Sequence, residues 1–184
     1  MDTNPYAAPR EMEPAPPPTE AETIRRDYLK HEASVKGAAS LYFIGGIFLL
    51  LLAGIALSGW ETLGGAKGWV LPLAGGLGAG SILSFAVASG LRKLKSWARV
   101  TAIVLSGLSV IVSLFAMPQS VIGLLIHAYI LYILLSPKST MVCSDRYREI
   151  VAATSQIKSR TPVAVWIGFG LFLLALIVWS SIDR

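Results

Sequence analysis

Cysteine is almost absent: Cys143 is the single one in 184 residues. A lone thiol excludes an intramolecular disulfide, so oxidative folding is not needed. Charge is scarce as well. Only 15% of residues are charged, against about 25% in an ordinary soluble domain, while 54% are hydrophobic. The scarcity is uneven, because the runs 37–60, 68–91, 100–137 and 161–182 hold no Asp, Glu, Lys or Arg. Also missing are a Ser–His–Asp set, paired carboxylates in a rigid setting, clustered metal ligands and a Gly-rich phosphate loop. The chain is therefore not expected to be an enzyme, and no cofactor or metal is expected. The net charge of +5 does not suggest nucleic acid, because the basic residues sit beside apolar runs, where they orient helices and meet headgroups.

What is present is a set of membrane-length segments. A span needs about 20 apolar residues at about 1.5 Å per residue. Three of the runs hold one span each. The run 100–137 is close to two span lengths and carries Met117-Pro118-Gln119-Ser120 near its middle. Proline there suits a turn followed by a helix start. The expected fold is an all-α, polytopic helical bundle of five transmembrane helices, at about 38–60, 68–90, 98–117, 119–136 and 162–181, within a transmembrane domain 37–182. Trp60, Trp69, Trp97, Trp166 and Trp179 all fall near span ends, where an indole is half apolar and its N–H meets water.

Lys and Arg set the orientation. Arg10, Arg25, Arg26, Lys30 and Lys36 precede the first span. Arg92, Lys93, Lys95 and Arg99 follow the second. Lys138, Arg146, Arg148, Lys158 and Arg160 follow the fourth. Only Lys67 and Arg184 fall on the other side, so the N-terminus is expected in the cytoplasm and the C-terminus outside. Residues 1–18, rich in proline, are expected to form a disordered tail. The first 36 residues have no early apolar core, so insertion is expected to rest on the first span itself.

Two short amphipathic helices are expected on the cytoplasmic face. The first covers 19–36, opened by a Thr19/Glu22 capping box, with Ile24, Tyr28, His31 and Val35 as its apolar face and Arg25, Arg26, Asp27, Lys30 and Glu32 on the remainder. The second covers 144–158, capped by Ser144 with Asp145 at its positive end. Tyr147, Ile150, Val151, Thr154 and Ile157 form its stripe, and Pro162 stops the chain before span five. Such helices are marginal alone. Their stripes can lie on headgroups, pack on each other or dock a partner.

Few residues offer chemistry. His127 is the one imidazole inside a span. An ionisable group at that depth is a functional candidate, set against a neutral histidine hydrogen-bonded to Tyr129, Tyr132 or a neighbouring serine. Apart from Gln119 at the turn, the uncharged runs hold no Asn or Gln either, which leaves His127 without an obvious relay partner. Gly76 and Gly80, then Ala86 and Gly90, repeat a spacing of four that lets helices approach closely, within one chain or between two copies. Arg92, Lys93, Lys95 and Arg99, with Trp97 among them, form a basic girdle that sets topology or recognises a lipid headgroup. Cys143 has no nearby partner for redox or metal work.

Several of these segments carry a resemblance. Asn4-Pro5-Tyr6-Ala7-Ala8-Pro9, the junction Gly90-Leu91-Arg92-Lys93-Leu94-Lys95-Ser96-Trp97-Ala98-Arg99, the stretch Tyr129 to Leu135, and Ser144-Asp145-Arg146-Tyr147-Arg148-Glu149-Ile150-Val151-Ala152-Ala153-Thr154 resemble a family of small uncharacterised bacterial multi-pass membrane proteins. The likeness covers most of residues 30–160. It implies the topology and the cytoplasmic membrane, and it implies no activity. The expected role is a non-catalytic interaction or scaffold protein, with a small transporter or channel subunit centred on His127 as the alternative. The candidate partners are the lipid bilayer, a protein on the cytoplasmic face and a second copy of the chain.

Overall fold

A computed structural model describes residues 19–58, 67–115 and 120–157. The proline-rich tail, the turn around Pro118, Trp60, and the fifth span with Trp166 and Trp179 lie outside the described residues. Six helices are described: α1 Glu20–Ser58, α2 Lys67–Arg92, α3 Ser96–Phe115, α4 Val121–Leu135, α5 Pro137–Val142 and α6 Asp145–Ala153. No strand occurs among the described residues.

α1, α2 and α3 are long and apolar enough to cross a bilayer, and α4 is apolar but shorter. Their outward surfaces carry bare hydrocarbon: Phe115 is 89% exposed, Ile82 72% and Val112 66%. A soluble monomer does not display such a surface continuously along its helices, whereas lipid solvates it readily.

α1 begins where the capping box places it. The Glu22 N–H donates to Thr19 Oγ1 at 3.3 Å, and the Thr19 N–H donates to Glu22 Oε2 at 3.3 Å. The helix then runs unbroken through 39 residues, so the expected amphipathic helix and first span are one element. Nothing in Ser34-Val35-Lys36-Gly37-Ala38 forces a break, since a single glycine costs a helix only about 1 kcal/mol.

α1 and α2 pack antiparallel along most of their length. Ser81 Oγ donates to the Gly46 carbonyl at 2.8 Å. A Cβ on Gly46 would sit 2.9 Å from the Phe85 ring, so the missing side chain is what lets that ring close over α1. The Tyr42 hydroxyl joins α1 to α3, donating to the Ala102 carbonyl at 2.8 Å and lying 2.7 Å from Ser106 Oγ. Buried hydroxyls of this kind hold helices together where the hydrophobic effect is weak.

α4 ends at Leu135 because Ser136 precedes Pro137. The proline ring drives its neighbour out of the helical region, and Ser136 has φ −56° and ψ 138°. Pro137 then opens α5 at a position that tolerates a missing N–H. This short helix was not expected. It turns the chain back so that α6 lies against the N-terminal part of α1, with Tyr28 and Tyr147 edge to face at 6.1 Å.

Candidate functional site

The end of the bundle where α1 begins holds a buried charge network. Glu32 is fully buried, at 0% exposure, and Arg25 is 4% exposed. Both were expected on the polar face of the first amphipathic helix. Instead the buried face runs through Arg25, Glu32 and Val35, rotated about one position from the Ile24, Tyr28, His31 and Val35 stripe. The rotation has a reason: α6 supplies the partners that buried charges require.

Glu32 Oε1 accepts from Lys36 Nζ at 2.6 Å, one helical turn on. Glu32 Oε2 accepts from the Tyr147 hydroxyl at 3.1 Å and faces Arg25 Nε at 3.6 Å. The Arg25 guanidinium reaches past Glu32 to the end of α6. There it donates to the Thr154 carbonyl, to Thr154 Oγ1 at 2.9 Å and to the Val151 carbonyl at 3.3 Å. The last carbonyls of a helix lack partners within it and carry partial negative charge. Arg25 supplies both hydrogen bonds and charge to the end of α6, which stops at Ala153, short of the expected 158. At its other end Ser144 caps as expected, its hydroxyl accepting from the Tyr147 N–H at 3.2 Å. Gln156 Nε2 donates to Glu22 Oε1 at 2.8 Å and closes the rim.

The two amphipathic helices thus pack on each other within the chain, burying Val35, Tyr147 and Thr154 and leaving Ile24, Tyr28, Ile150 and Val151 half-buried. The signal in the sequence was the pair Arg25 and Glu32, opposite charges seven apart, spaced by three, four and three with Tyr28 and Val35. Opposite charges at that interval share a helix face with the apolar residues between them.

Burial, and then the Glu32 carboxylate beside it, push the Tyr147 phenol above its ordinary value of 10.0. A raised value in the folded state means that the unfolded chain loses this proton first. The contribution of Tyr147 to stability is therefore full below about pH 10 and is lost as the pH rises beyond it. Thermal unfolding in detergent is expected to show a midpoint that falls above about pH 10, and Tyr147→Phe should flatten that fall. Equal slopes in parent and variant would exclude a buried Tyr147–Glu32 contact.

The basic girdle is built into the corner between α2 and α3. α2 closes with the Lys95 N–H on the Gly90 carbonyl at 2.9 Å and the Leu94 N–H on the Leu91 carbonyl at 3.0 Å. This paired closure needs a left-handed residue, and Leu94 takes it at φ 54°. Glycine usually fills that position, so Leu94 carries strain, which its burial in the core offsets. Arg92 stacks 5.2 Å over the Phe43 ring. Arg99 Nε donates to the Leu134 carbonyl at 2.9 Å, serving the end of α4 as Arg25 serves α6. Trp97 packs over Gly90, where a Cβ would come 2.9 Å from its ring and closer still to Ala98 Cβ. Lys93 remains exposed and Lys95 half-buried. Arg92, Trp97 and Arg99 thus have structural partners in addition to any headgroup contact.

The small residues of α2 do not act as one set. Gly90 is the close approach. Among the described residues Gly80 meets only Leu49 Cδ1 at 3.4 Å and a Cβ on Gly76 would meet nothing within 4 Å, while Ala86 is exposed. Among the described residues, α2 turns Ala74, Ser81, Ser84, Val87 and Ala88 inward. Gly76→Ile is expected to leave monomer stability within about 0.5 kcal/mol of the parent, by thermal unfolding in detergent. A larger loss would contradict open space at Gly76, and a change in apparent mass would place this face against a second copy.

His127 lines an apolar groove of about 920 Å³. Leu41, Phe48 and Leu52 of α1, Leu105 of α3 and Ile126 of α4 form much of its wall, and no Asp, Glu, Lys or Arg among the described residues lines it. His127 Nδ1 is buried with no hydrogen-bond partner among the described residues. Tyr129 and Tyr132 stand exposed and do not supply the bond that a purely structural histidine would make. Along the groove α1 touches α4 only sparsely, and Tyr42, which bridges α1 to α3, lines it.

Cys143 is buried. Burial raises its thiol, against smaller opposing effects of Ser139 and Arg99, so it is a packed thiol rather than a reactive one. No group of three or more His, Cys, Asp or Glu among the described residues is placed to hold a metal.

No family model, curated protein or solved structure matches the chain.

Proposed function

We propose that the protein is a five-span protein of the cytoplasmic membrane, N-terminus inside and C-terminus outside, that acts without catalysis as an interaction or scaffold protein. The observation that carries this reading is the locked assembly of α6 on α1. Arg25, Glu32 and Tyr147 fix it from within, and Arg26, Asp27, Lys30, Arg146 and Glu149 stand exposed on its outside. The two helices pack on each other, so a partner meets this outer surface of mixed charge, with its hydrogen-bonding groups and ion pairs setting specificity. An enzyme would need a cleft with convergent polar groups, and the groove offers only His127 among weakly polar side chains.

Crosslinking in native membranes followed by affinity capture tests the reading. A partner recovered from the parent and lost from an Arg26→Ala, Lys30→Ala variant of equal abundance supports it. The same yield from both would overturn the assignment of this surface.

His127 Nδ1, without a hydrogen-bond partner among the described residues, lies in the groove and favours a second reading, a small transporter or channel subunit. It requires a flux across proteoliposomes that His127→Ala abolishes without loss of protein.

A further inference from the structure

The groove between α1 and α4 begins at Ser34 and Gly37, where the uncharged stretch of α1 starts, and runs inward past Leu41, Ile44 and Phe48. From Ser34 to Ile44 is about 15 Å at about 1.5 Å per residue. The hydrocarbon of one leaflet, half of about 30 Å, has the same depth. The wall over this length is apolar, and no Asp, Glu, Lys or Arg among the described residues lines it. Its volume of about 920 Å³ lies within the roughly 300–1,000 Å³ of small-molecule sites. A transmembrane helix about 10 Å across and about 30 Å long occupies about 2,400 Å³. An alkyl chain is thin enough to lie between the walls.

Outside the mouth the chemistry changes. Lys30 and His31 precede Ser34 by four and three positions, so they continue the groove-lining face of α1 outward. Lys30 is exposed, and its carbonyl accepts from Ser34 Oγ at 3.1 Å. On the opposite wall α4 leads into α5, where Lys138 is exposed and close enough to His31 to act on it electrostatically. His31 Nε2 is buried with no hydrogen-bond partner among the described residues. Two carboxylates lie near. Asp27 is exposed a further turn out, and Glu32 is held by Lys36 and Arg25. Lys30 and Lys138 therefore leave the rim positive. An apolar slot one leaflet deep beneath a cationic rim complements an amphiphile with an anionic head.

We propose that the groove seats one acyl chain of an anionic phospholipid from the leaflet in which α1 begins, with the phosphate over the rim between Lys30 and Lys138, beside His31. The corner between α2 and α3 offers a headgroup only surface contact. This site also takes in the tail, so it holds one lipid apart from the exchanging shell around the helices.

The test uses the full-length protein in phosphatidylcholine vesicles doped with phosphatidylglycerol that carries a diazirine in its acyl chain. After irradiation, adducts mapped by mass spectrometry should concentrate at Leu41, Ile44 and Ile130 over the outward-facing Leu51, Ile82 and Val112. Lys138→Gln alters an exposed side chain and should leave the unfolding midpoint unchanged. Each cation near a headgroup contributes about fivefold to binding, so this variant should lower the groove adducts about fivefold and leave those at Ile82 and Val112 as they were. The same diazirine on phosphatidylcholine should label the groove several-fold less. Adducts spread evenly over all the helices would mean shell lipid alone. Groove adducts that ignore Lys138→Gln, or that phosphatidylcholine matches, would deny recognition of the anionic head. Labelled outer faces with an unlabelled groove would mean that protein, from this chain or a second copy, fills it. Each of these results overturns the proposal.

Discussion

Glu32→Ala should be the most damaging single substitution on the α1–α6 face, lowering stability by about 3–5 kcal/mol. The carboxylate is the common partner of Lys36, Tyr147 and Arg25. Its removal leaves a guanidinium at 4% exposure without a counter-charge, and the cost of an uncompensated buried ion dominates. Tyr147→Phe removes only one hydrogen bond to a charged acceptor and should cost about 1.5–3 kcal/mol. The informative comparison is a joint replacement, Arg25→Met with Glu32→Leu and Tyr147→Phe. Buried ion clusters are often matched by apolar side chains of similar volume, so this variant should recover much of the loss. Thermal unfolding in detergent, followed by circular dichroism, ranks the three. A Glu32→Ala midpoint equal to that of the parent would mean that the network does not hold α6 in place.

Gly90→Ala adds one methyl group and should still cost about 1–3 kcal/mol. The new Cβ meets Ala98 Cβ and the Trp97 ring, and both belong to a helix start that cannot retreat. Leu94 on one side is already in a left-handed conformation, and Arg99 on the other is tied to the end of α4. Ala98→Gly in the same chain removes the nearer obstacle and should restore part of the stability despite being destabilising alone. If the two substitutions simply add, the corner is not tightly packed and the assignment of Gly90 as the close approach fails.

These two sites also show how far the sequence could be followed. Local signals were legible because they depend on neighbours in the chain. The Thr19/Glu22 box and the Ser144 cap need only the right residues three apart, and both formed. The long apolar helices were legible because few settings besides a bilayer tolerate so long a stretch without charge. The buried face of α1 was not, because amphipathic reasoning sends every charge to solvent. Glu32 and Arg25 are inside for reasons that lie more than a hundred positions away, in Tyr147 and Thr154. The same holds for Gly90: its spacing from Ala86 pointed to helix packing, but only the left-handed turn at Leu94 decides that the neighbour is Ala98. The short helix that Pro137 opens was not legible, because six residues are too few to show a period.

The length of α1 has a mechanical consequence. Its 39 residues make a rod of about 58 Å, roughly twice the thickness of a hydrocarbon layer of about 30 Å. The part beyond the layer is clasped by α6, and no hinge separates it from the part within. Any tilt that a change in bilayer thickness imposes on the first helix is therefore delivered, undiminished and levered outward, to the charged surface at its far end.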